Sequence, residues 1–182
     1  MYQRSEELRR AEEWLARMAL ALGSRQIVPF VPVREEIIPF ILDALELGPD
    51  DVFYDLGCGD GRVAVAAARD YGVRKSVCVE INESLAMAAL ERAALEGVAE
   101  KVVVLNADFM SVSIDDATAV YLYLLSSVNE ALRPKLELEL RPGARVASLD
   151  FPVPGWEPNR VIGEPGWQRV IYLYRMPPRR TG

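Results

Sequence analysis

Short apolar runs alternate with longer amphipathic stretches along the middle of the chain. Five runs, at 52–56, 76–80, 102–106, 119–124 and 144–151, have the length and composition of buried strands. Segments with helical spacing follow the first, second and fourth runs. This alternation is typical of parallel strands joined by crossover helices, and it predicts an α/β fold with a doubly wound, Rossmann-like sheet.

The pattern is different before the first strand. Residues 5–22 carry an apolar stripe at helical spacing and predict an amphipathic helix, so we assign residues 1–26 to an N-terminal helical extension. A further helix is predicted over 34–47. Pro39 falls inside it and should kink the helix or shift its start, because proline lacks the amide hydrogen and clashes with the preceding turn.

After the fifth strand the pattern changes again. Candidate strands at 160–163 and 167–174 predict a closing antiparallel hairpin. The main domain is therefore predicted over 27–176, and residues 177–182 are expected to form a short flexible tail.

Composition narrows the class of protein. A chain of 182 residues with 51% hydrophobic residues suits one domain with a full core. Its formal net charge of −6 argues against stable nucleic-acid binding. There is no histidine, which removes the usual general base and the commonest metal ligand, so no metal is expected. A shortage of amide side chains is typical of thermophiles, but the enrichment in lysine that also marks them is missing, so nucleotide composition is an equal explanation of the arginine bias.

Several features predict where the protein works. The chain lacks an apolar leader and any run long enough to span a membrane, so a cytoplasmic monomer with no membrane partner is expected. Cys58 lies in a glycine-rich stretch and Cys78 in an apolar strand. A disulfide is not expected from that pattern, and a reducing compartment is the default.

The stretch 55–61, Asp-Leu-Gly-Cys-Gly-Asp-Gly, carries the main chemical signal. An apolar strand runs into three glycines, which let the backbone turn sharply and approach a ligand. A dinucleotide site would have its third glycine one position later. The early glycine and Asp60 favour S-adenosylmethionine instead, with Asp55 facing its ammonium. We predict cofactor contacts from four residues of the turn: Gly57, Cys58, Gly59 and Gly61.

Two further strand ends carry acids. Glu80 closes the second strand, where a carboxylate can accept hydrogen bonds from both ribose hydroxyls, with Ile81 beside it. Asp108 and Phe109 follow the third strand and suit an adenine, through its amine and its ring face. The alternative is that Asp108 caps a helix, with Phe109 as a core aromatic.

With these acids, the chain resembles the class I, seven-strand S-adenosylmethionine-dependent methyltransferases over roughly residues 28–175. The resemblance implies a sheet with strand order 3-2-1-4-5-7-6 and one antiparallel strand. It also implies that S-adenosylhomocysteine is the product and that the end of strand four decides the substrate.

Longer motifs narrow the resemblance. They are Val-Pro-Phe-Val-Pro-Val at 28–33, Leu-Leu-Ser-Ser-Val-Asn-Glu-Ala-Leu-Arg-Pro-Lys-Leu-Glu at 124–137, Leu-Arg-Pro-Gly-Ala-Arg-Val at 140–146 and Gly155-Trp156. With them, the chain is similar to the small archaeal protein lysine methyltransferases. The resemblance implies methylation of exposed lysines on many proteins.

Methyl transfer to lysine is an in-line displacement that needs a neutral amine, so alignment matters more than a dedicated base. We assign Tyr123 to the lysine channel and the cofactor wall, with Asn129 and Trp156 nearby and Phe30 closing over the cofactor. Strand filling is the alternative for Tyr123, helix start for Asn129 and sheet plugging for Trp156. Two other functions stay open: a small-molecule methyltransferase, and a non-catalytic adaptor that binds the cofactor.

Overall fold

A computed structural model describes residues 30–163 and 169–181, of which those from Pro32 onwards belong to one compact unit. The predicted helix at 5–22 lies outside the described residues. Among the residues that are described, no helix has the length and apolar character needed to cross a bilayer.

The sheet has seven strands, with residue bounds as follows: β1 Val52–Leu56, β2 Lys75–Glu80, β3 Val102–Asn106, β4 Ala119–Leu122, β5 Arg145–Leu149, β7 Arg160–Ile162 and β8 Ile171–Arg175. Their spatial order is β3-β2-β1-β4-β5-β8-β7. Only β8 runs antiparallel to its neighbours, β5 and β7. The predicted order and the single antiparallel strand are therefore confirmed.

In the described part of the chain, one helix precedes β1 and three follow strands: α1 Ile38–Ala44, α2 Arg62–Asp70, α3 Glu83–Leu95 and α4 Ser126–Glu139. Short 3-10 turns lie at Glu35–Ile37 and Phe109–Ser111. Pro39 shifts the helix start as predicted. It occupies the first turn of α1, where its missing amide hydrogen costs nothing.

The core lies on both faces of the sheet, because successive side chains of a strand point to opposite sides. Phe53 joins one buried cluster, together with residues of α1, α2 and α3. Tyr54 joins the other, together with residues of α4. The cluster that contains Phe53 is called the first face below, and the cluster that contains Tyr54 the second face.

The prediction of a flexible tail at 177–182 was wrong in part. Arg179–Arg180 forms a short strand, β9, that pairs with β6 at Trp156–Glu157. Arg180 also donates to the Glu137 carboxylate of α4 at 2.9 Å. The tail was expected to be flexible because it ends the chain, but acidic side chains distant in sequence bind its arginines.

Candidate active site

The turn after β1 has the predicted shape. Gly57, Gly59 and Gly61 have φ angles of +79°, +56° and +77°, which residues with a side chain rarely adopt. The backbone amides of Gly57 and Cys58 both donate to the Val79 carbonyl, at 2.9 and 3.1 Å. These bonds fold the turn back against the end of β2.

The glycines differ in what surrounds them. A Cβ on Gly57 would lie 3.2 Å from Leu124 Cδ2 and 3.9 Å from the Phe109 ring, so Gly57 lies between the residues that follow β3 and β4. A Cβ on Gly61 would lie 2.6 Å from the Ala89 Cβ. The absence of a side chain at Gly61 thus lets α2 pack on α3, a steric role that sequence reasoning missed.

Glu80 lies at the end of β2 and is 8% exposed. One carboxylate oxygen accepts from the Gly59 amide at 2.9 Å, and the other accepts from the Asn82 amide at 2.8 Å. Each oxygen has a further lone pair, so the carboxylate can also accept bonds from a ligand's hydroxyls. Ile81 follows it with 36% of its surface exposed.

Asp55 is nearly inaccessible, with 2% exposure, and points to the first face. Burial raises the pKa of its carboxyl, and the nearby charges of Glu80 and Asp60 raise it further. A buried carboxylate is costly unless a cation or strong donors compensate it. The ammonium of an amino-acid group would supply that compensation, so the site fits the predicted cofactor.

Asp108 caps the 3-10 turn at Phe109–Ser111, accepting from the Met110 amide at 2.9 Å. The helix-cap interpretation of Asp108 is therefore confirmed, and it does not exclude ligand binding. Its other carboxylate oxygen has no hydrogen bond among the described residues. Phe109 is half-buried rather than in the core, and its ring edge approaches Gly57.

Cys58 and Cys78 are joined in a disulfide, so the expectation that they stay apart was wrong. Cys78 pairs in register with Asp55, and the turn brings Cys58 back over β2, so the two Cα atoms lie 5.3 Å apart. That separation is within the range for a disulfide. The sequence places the residues twenty positions apart and carries no signal for this contact.

Two arginines that sequence reasoning missed hold the turn from outside. Asp60 accepts from Arg62 at 2.7 Å and from Arg92 of α3 at 2.9 Å. Burial alone would raise the pKa of Asp60, but these hydrogen bonds and charges outweigh it and lower the pKa. Arg62 also donates to the Val33 carbonyl at 3.0 Å.

Tyr123 follows β4 and packs against the first face. Its hydroxyl accepts from Arg169 Nη1 at 2.7 Å, and the guanidinium carbon lies 5.6 Å from its ring centroid. The same nitrogen binds the carboxylate of Asp150, which follows β5. The Phe151 ring stacks on Tyr123 with a centroid distance of 6.5 Å. Asp150 and Arg169 were not predicted.

Asn129 and Trp156 do not join this group. Asn129 is fully buried, and its Nδ2 lies 3.3 Å from Ser148 Oγ and from the carbonyls of Phe151 and Pro152. It thereby holds the loop after β5. Trp156 belongs to the second face and donates to Glu137 at 2.7 Å. Both side chains make contacts that stabilise the fold, and their predicted part in the reaction stays a prediction.

Phe30 belongs to the unit that precedes Pro32 and is 44% exposed. Its predicted closure over the cofactor stays a prediction. Among residues 30–163 and 169–181, no three acidic or cysteine side chains come together in a way that could hold a metal ion.

The sheet order, the glycine turn and the acids at three successive strand ends define a class I methyltransferase fold. The ANTKMT methyltransferase domain family matches residues 55–160, more than half of the chain. The chain belongs to this family.

Its relatives include a protein-lysine N-methyltransferase of Saccharolobus islandicus (strain REY15A), 42% identical over 149 residues that cover 81% of this chain and 92% of the relative. The adenine nucleotide translocase lysine N-methyltransferase of Mus musculus is 38% identical over 79% of this chain. This chain spans 61% of the mouse protein.

A solved structure is also similar. It is that of an RNA methyltransferase from Salinibacter ruber in complex with S-adenosyl-L-homocysteine, with a TM-score of 0.77 and 38% identity. The match covers 81% of this chain and 94% of the other.

Proposed function

We propose that the protein transfers a methyl group from S-adenosylmethionine to the ε-amine of lysine side chains in proteins. The observation that carries the proposal is the 42% identity to an archaeal protein-lysine N-methyltransferase over 92% of its length. The matched family segment also contains the whole acid set described above, from Asp55 to Asp108.

Different residues of the chain bind different parts of the cofactor. Asp55 compensates the ammonium of its amino-acid part, and Glu80 accepts from its ribose hydroxyls. Asp108 accepts from the adenine amine through its uncommitted oxygen, and Phe109 and Ile81 supply apolar surface beside the ring. When bound, the cofactor supplies a methyl group activated by an adjacent sulfonium.

The lysine approaches from the ends of β4 and β5, on the other side of β1 from the Glu80 and Asp108 strand ends. Tyr123 lies there with its ring flanked by Phe151 and Arg169. Aromatic side chains beside the chain of methylenes would align the amine, and alignment is the main task in a displacement of this kind. Asn129 and Trp156 contribute by shaping the surrounding loops.

Methyl transfer to RNA is the second candidate function, because the similar protein from Salinibacter ruber is an RNA methyltransferase. The net charge of −6 makes phosphate neutralisation unfavourable over the molecule as a whole. The lysine proposal is therefore the stronger of the two.

The deciding experiment supplies methyl-labelled S-adenosylmethionine to the purified protein and a cell extract, which is then split into protein, RNA and small-molecule fractions. We expect label in protein, with mass increments of one methyl group or more on lysines. Label confined to RNA or to small molecules would replace the proposal. Cofactor binding without any labelling would support the adaptor function.

We further propose a monomer that acts in the cytoplasm on many exposed lysines. The Cys58–Cys78 disulfide is uncommon in a reducing compartment, but intracellular proteins of hyperthermophiles are rich in disulfides. A thermophilic archaeal source would be compatible with both the disulfide and a cytoplasmic location. Light scattering tests the monomer, and the number of labelled proteins in the extract tests the breadth of substrates.

A further inference from the structure

Tyr123, Asp150 and Arg169 form one bonded group beside the candidate site, which we term the β4–β5 pair site. Arg169 binds both the Tyr123 hydroxyl and the Asp150 carboxylate through Nη1. The second Asp150 oxygen accepts from the Val170 amide at 3.1 Å. Asp150 is thus fixed from two directions, and Arg169 joins the ends of two parallel strands.

The position of this group ties it to the reaction. The order of the sheet reverses between β1 and β4, and ligands of open α/β sheets bind at the carboxyl ends of the strands around such a reversal. The cofactor acids occupy β1 and the strands on one side of it. A second reactant must therefore meet the ends of β4 and β5, where Tyr123 and Asp150 lie.

Two observations indicate a ligand-facing rather than a purely structural pair. The Arg169 and Asp150 side chains keep 24% and 20% of their surface exposed. Asp150 also has a φ of +63°, a conformation that non-glycine residues seldom adopt and that is concentrated at functional sites.

The charge of a carboxylate here matters for the chemistry. A lysine arrives as an ammonium with an ordinary pKa near 10.4 and must become a neutral amine before it reacts. A bare carboxylate within about 6 Å would stabilise the ammonium and raise its pKa by roughly 1–3 units. Loss of reactivity near neutral pH would follow.

We propose that Arg169 neutralises Asp150, so that the β4–β5 pair site accepts a lysine side chain along Tyr123 without holding its nitrogen as an ammonium. This inference rests on the proposed function. The ammonium gives its proton to water, and the nitrogen lone pair then forms the new C–N bond. The electron pair of the broken S–C bond stays on sulfur. Arg169 and Asp150 act as positioning residues that set the pH dependence of these two steps.

The other titratable groups around the pair do not replace it. Burial raises the pKa of the Tyr121 phenol, with Asp55 and Tyr123 contributing, and burial with the charge of Asp150 raises that of Tyr172. Both phenols therefore stay neutral near neutral pH. Burial would lower the pKa of Arg169, but Tyr123 and Asp150 reverse that effect, so its charge persists.

The test measures methyl transfer to a lysine peptide against pH. Asp150 is left uncompensated in Arg169→Gln, so the pH at which the rate is half-maximal should rise by about 1 unit or more. In Asp150→Asn the uncompensated guanidinium should lower it. The double variant restores the balance of charge and should return it close to the wild-type value.

Arg145→Gln is the matched control. Arg145 starts β5 and binds Asp51 in a similarly close ion pair, at the opposite edge of the sheet. Its loss should destabilise the fold to a similar degree without moving the pH midpoint. An equal shift in Arg145→Gln would overturn the proposal, since the effect would then be one of stability.

A second readout needs no turnover. Calorimetry of peptide binding, with S-adenosylhomocysteine present and in buffers of different ionisation enthalpy, counts the protons released from the lysine. We expect release by the wild type and less in Arg169→Gln. If Arg169→Gln does not fold, two other variants replace it. Arg169→Lys keeps the positive charge and should release protons like the wild type, and Asp150→Asn should shift the pH midpoint downwards.

The outcomes separate the two proposals. Absence of lysine methylation by the wild type at every pH ends the proposed function. Lysine methylation with one common pH midpoint and one common proton count in all variants ends only the role of the pair.

Discussion

Replacing Gly61 by alanine tests whether the glycine turn is shaped by helix packing. Gly61 has a φ of +77°, and an added Cβ would lie 2.6 Å from the Ala89 Cβ and 3.1 Å from its Cα. The left-handed conformation costs about 1 kcal/mol for a residue with a side chain. Overpacking against the backbone of α3 adds roughly 1–3 kcal/mol. We expect Gly61→Ala to lose about 2–4 kcal/mol.

Gly72 provides the matched control. It has a φ of +63°, but nothing lies within 4 Å of an added Cβ, so Gly72→Ala carries only the conformational cost. The difference between the variants should be about 2 kcal/mol, or roughly 4–8 °C in Tm for a chain of this size. Urea and thermal unfolding, followed by circular dichroism with the disulfide intact, measure it. Equal losses in the two variants would refute the packing argument.

Three other predictions concern the cofactor side. Asp55→Asn should stabilise the ligand-free protein at neutral pH. Burial raises the pKa of the Asp55 carboxyl in the folded state, so the wild type loses stability as rising pH ionises this group, and the variant should not show that loss. Urea titrations from pH 4 to 8 check this. Glu80→Gln should weaken cofactor binding by about tenfold to a hundredfold in calorimetry, the value of a hydrogen bond to a charged group; an unchanged Kd would remove Glu80 from the site. Cys78→Ala opens a loop with a sequence separation of 20 and should cost about 3 kcal/mol in oxidised protein, whereas reduced wild type and variant should differ by much less.

Local signals were sufficient for most of the sheet. The strand predicted at 102–106 has those bounds in the structure, because five apolar or neutral residues between turns leave few alternatives. The shift caused by Pro39 follows from its own covalent structure, whatever surrounds it. The acids at the strand ends could be found because each follows a recognisable strand.

Contacts between distant segments could not be predicted in this way. Arg169 lies in an irregular segment, and its partner Tyr123 is 46 residues away. Only the antiparallel register of β8 on β5 brings Arg169 to Asp150. Trp156 was assigned to the site from its place in the chain. The face to which it points depends on the β6–β9 pair, and these two short strands show no periodic pattern from which they could be predicted.

Glu80 shows how a residue predicted to bind a ligand can become difficult to replace in evolution. Its two oxygens already join the Gly59 amide to the Asn82 amide, so the same side chain closes the turn and starts the next helix. An aspartate is one methylene shorter and would reach one amide or the other, which makes a nominally conservative exchange a change of backbone. Drift at position 80 is therefore constrained even in a descendant that no longer binds a cofactor. The acid would persist after the activity is lost, so its presence in a relative is not by itself evidence of catalysis.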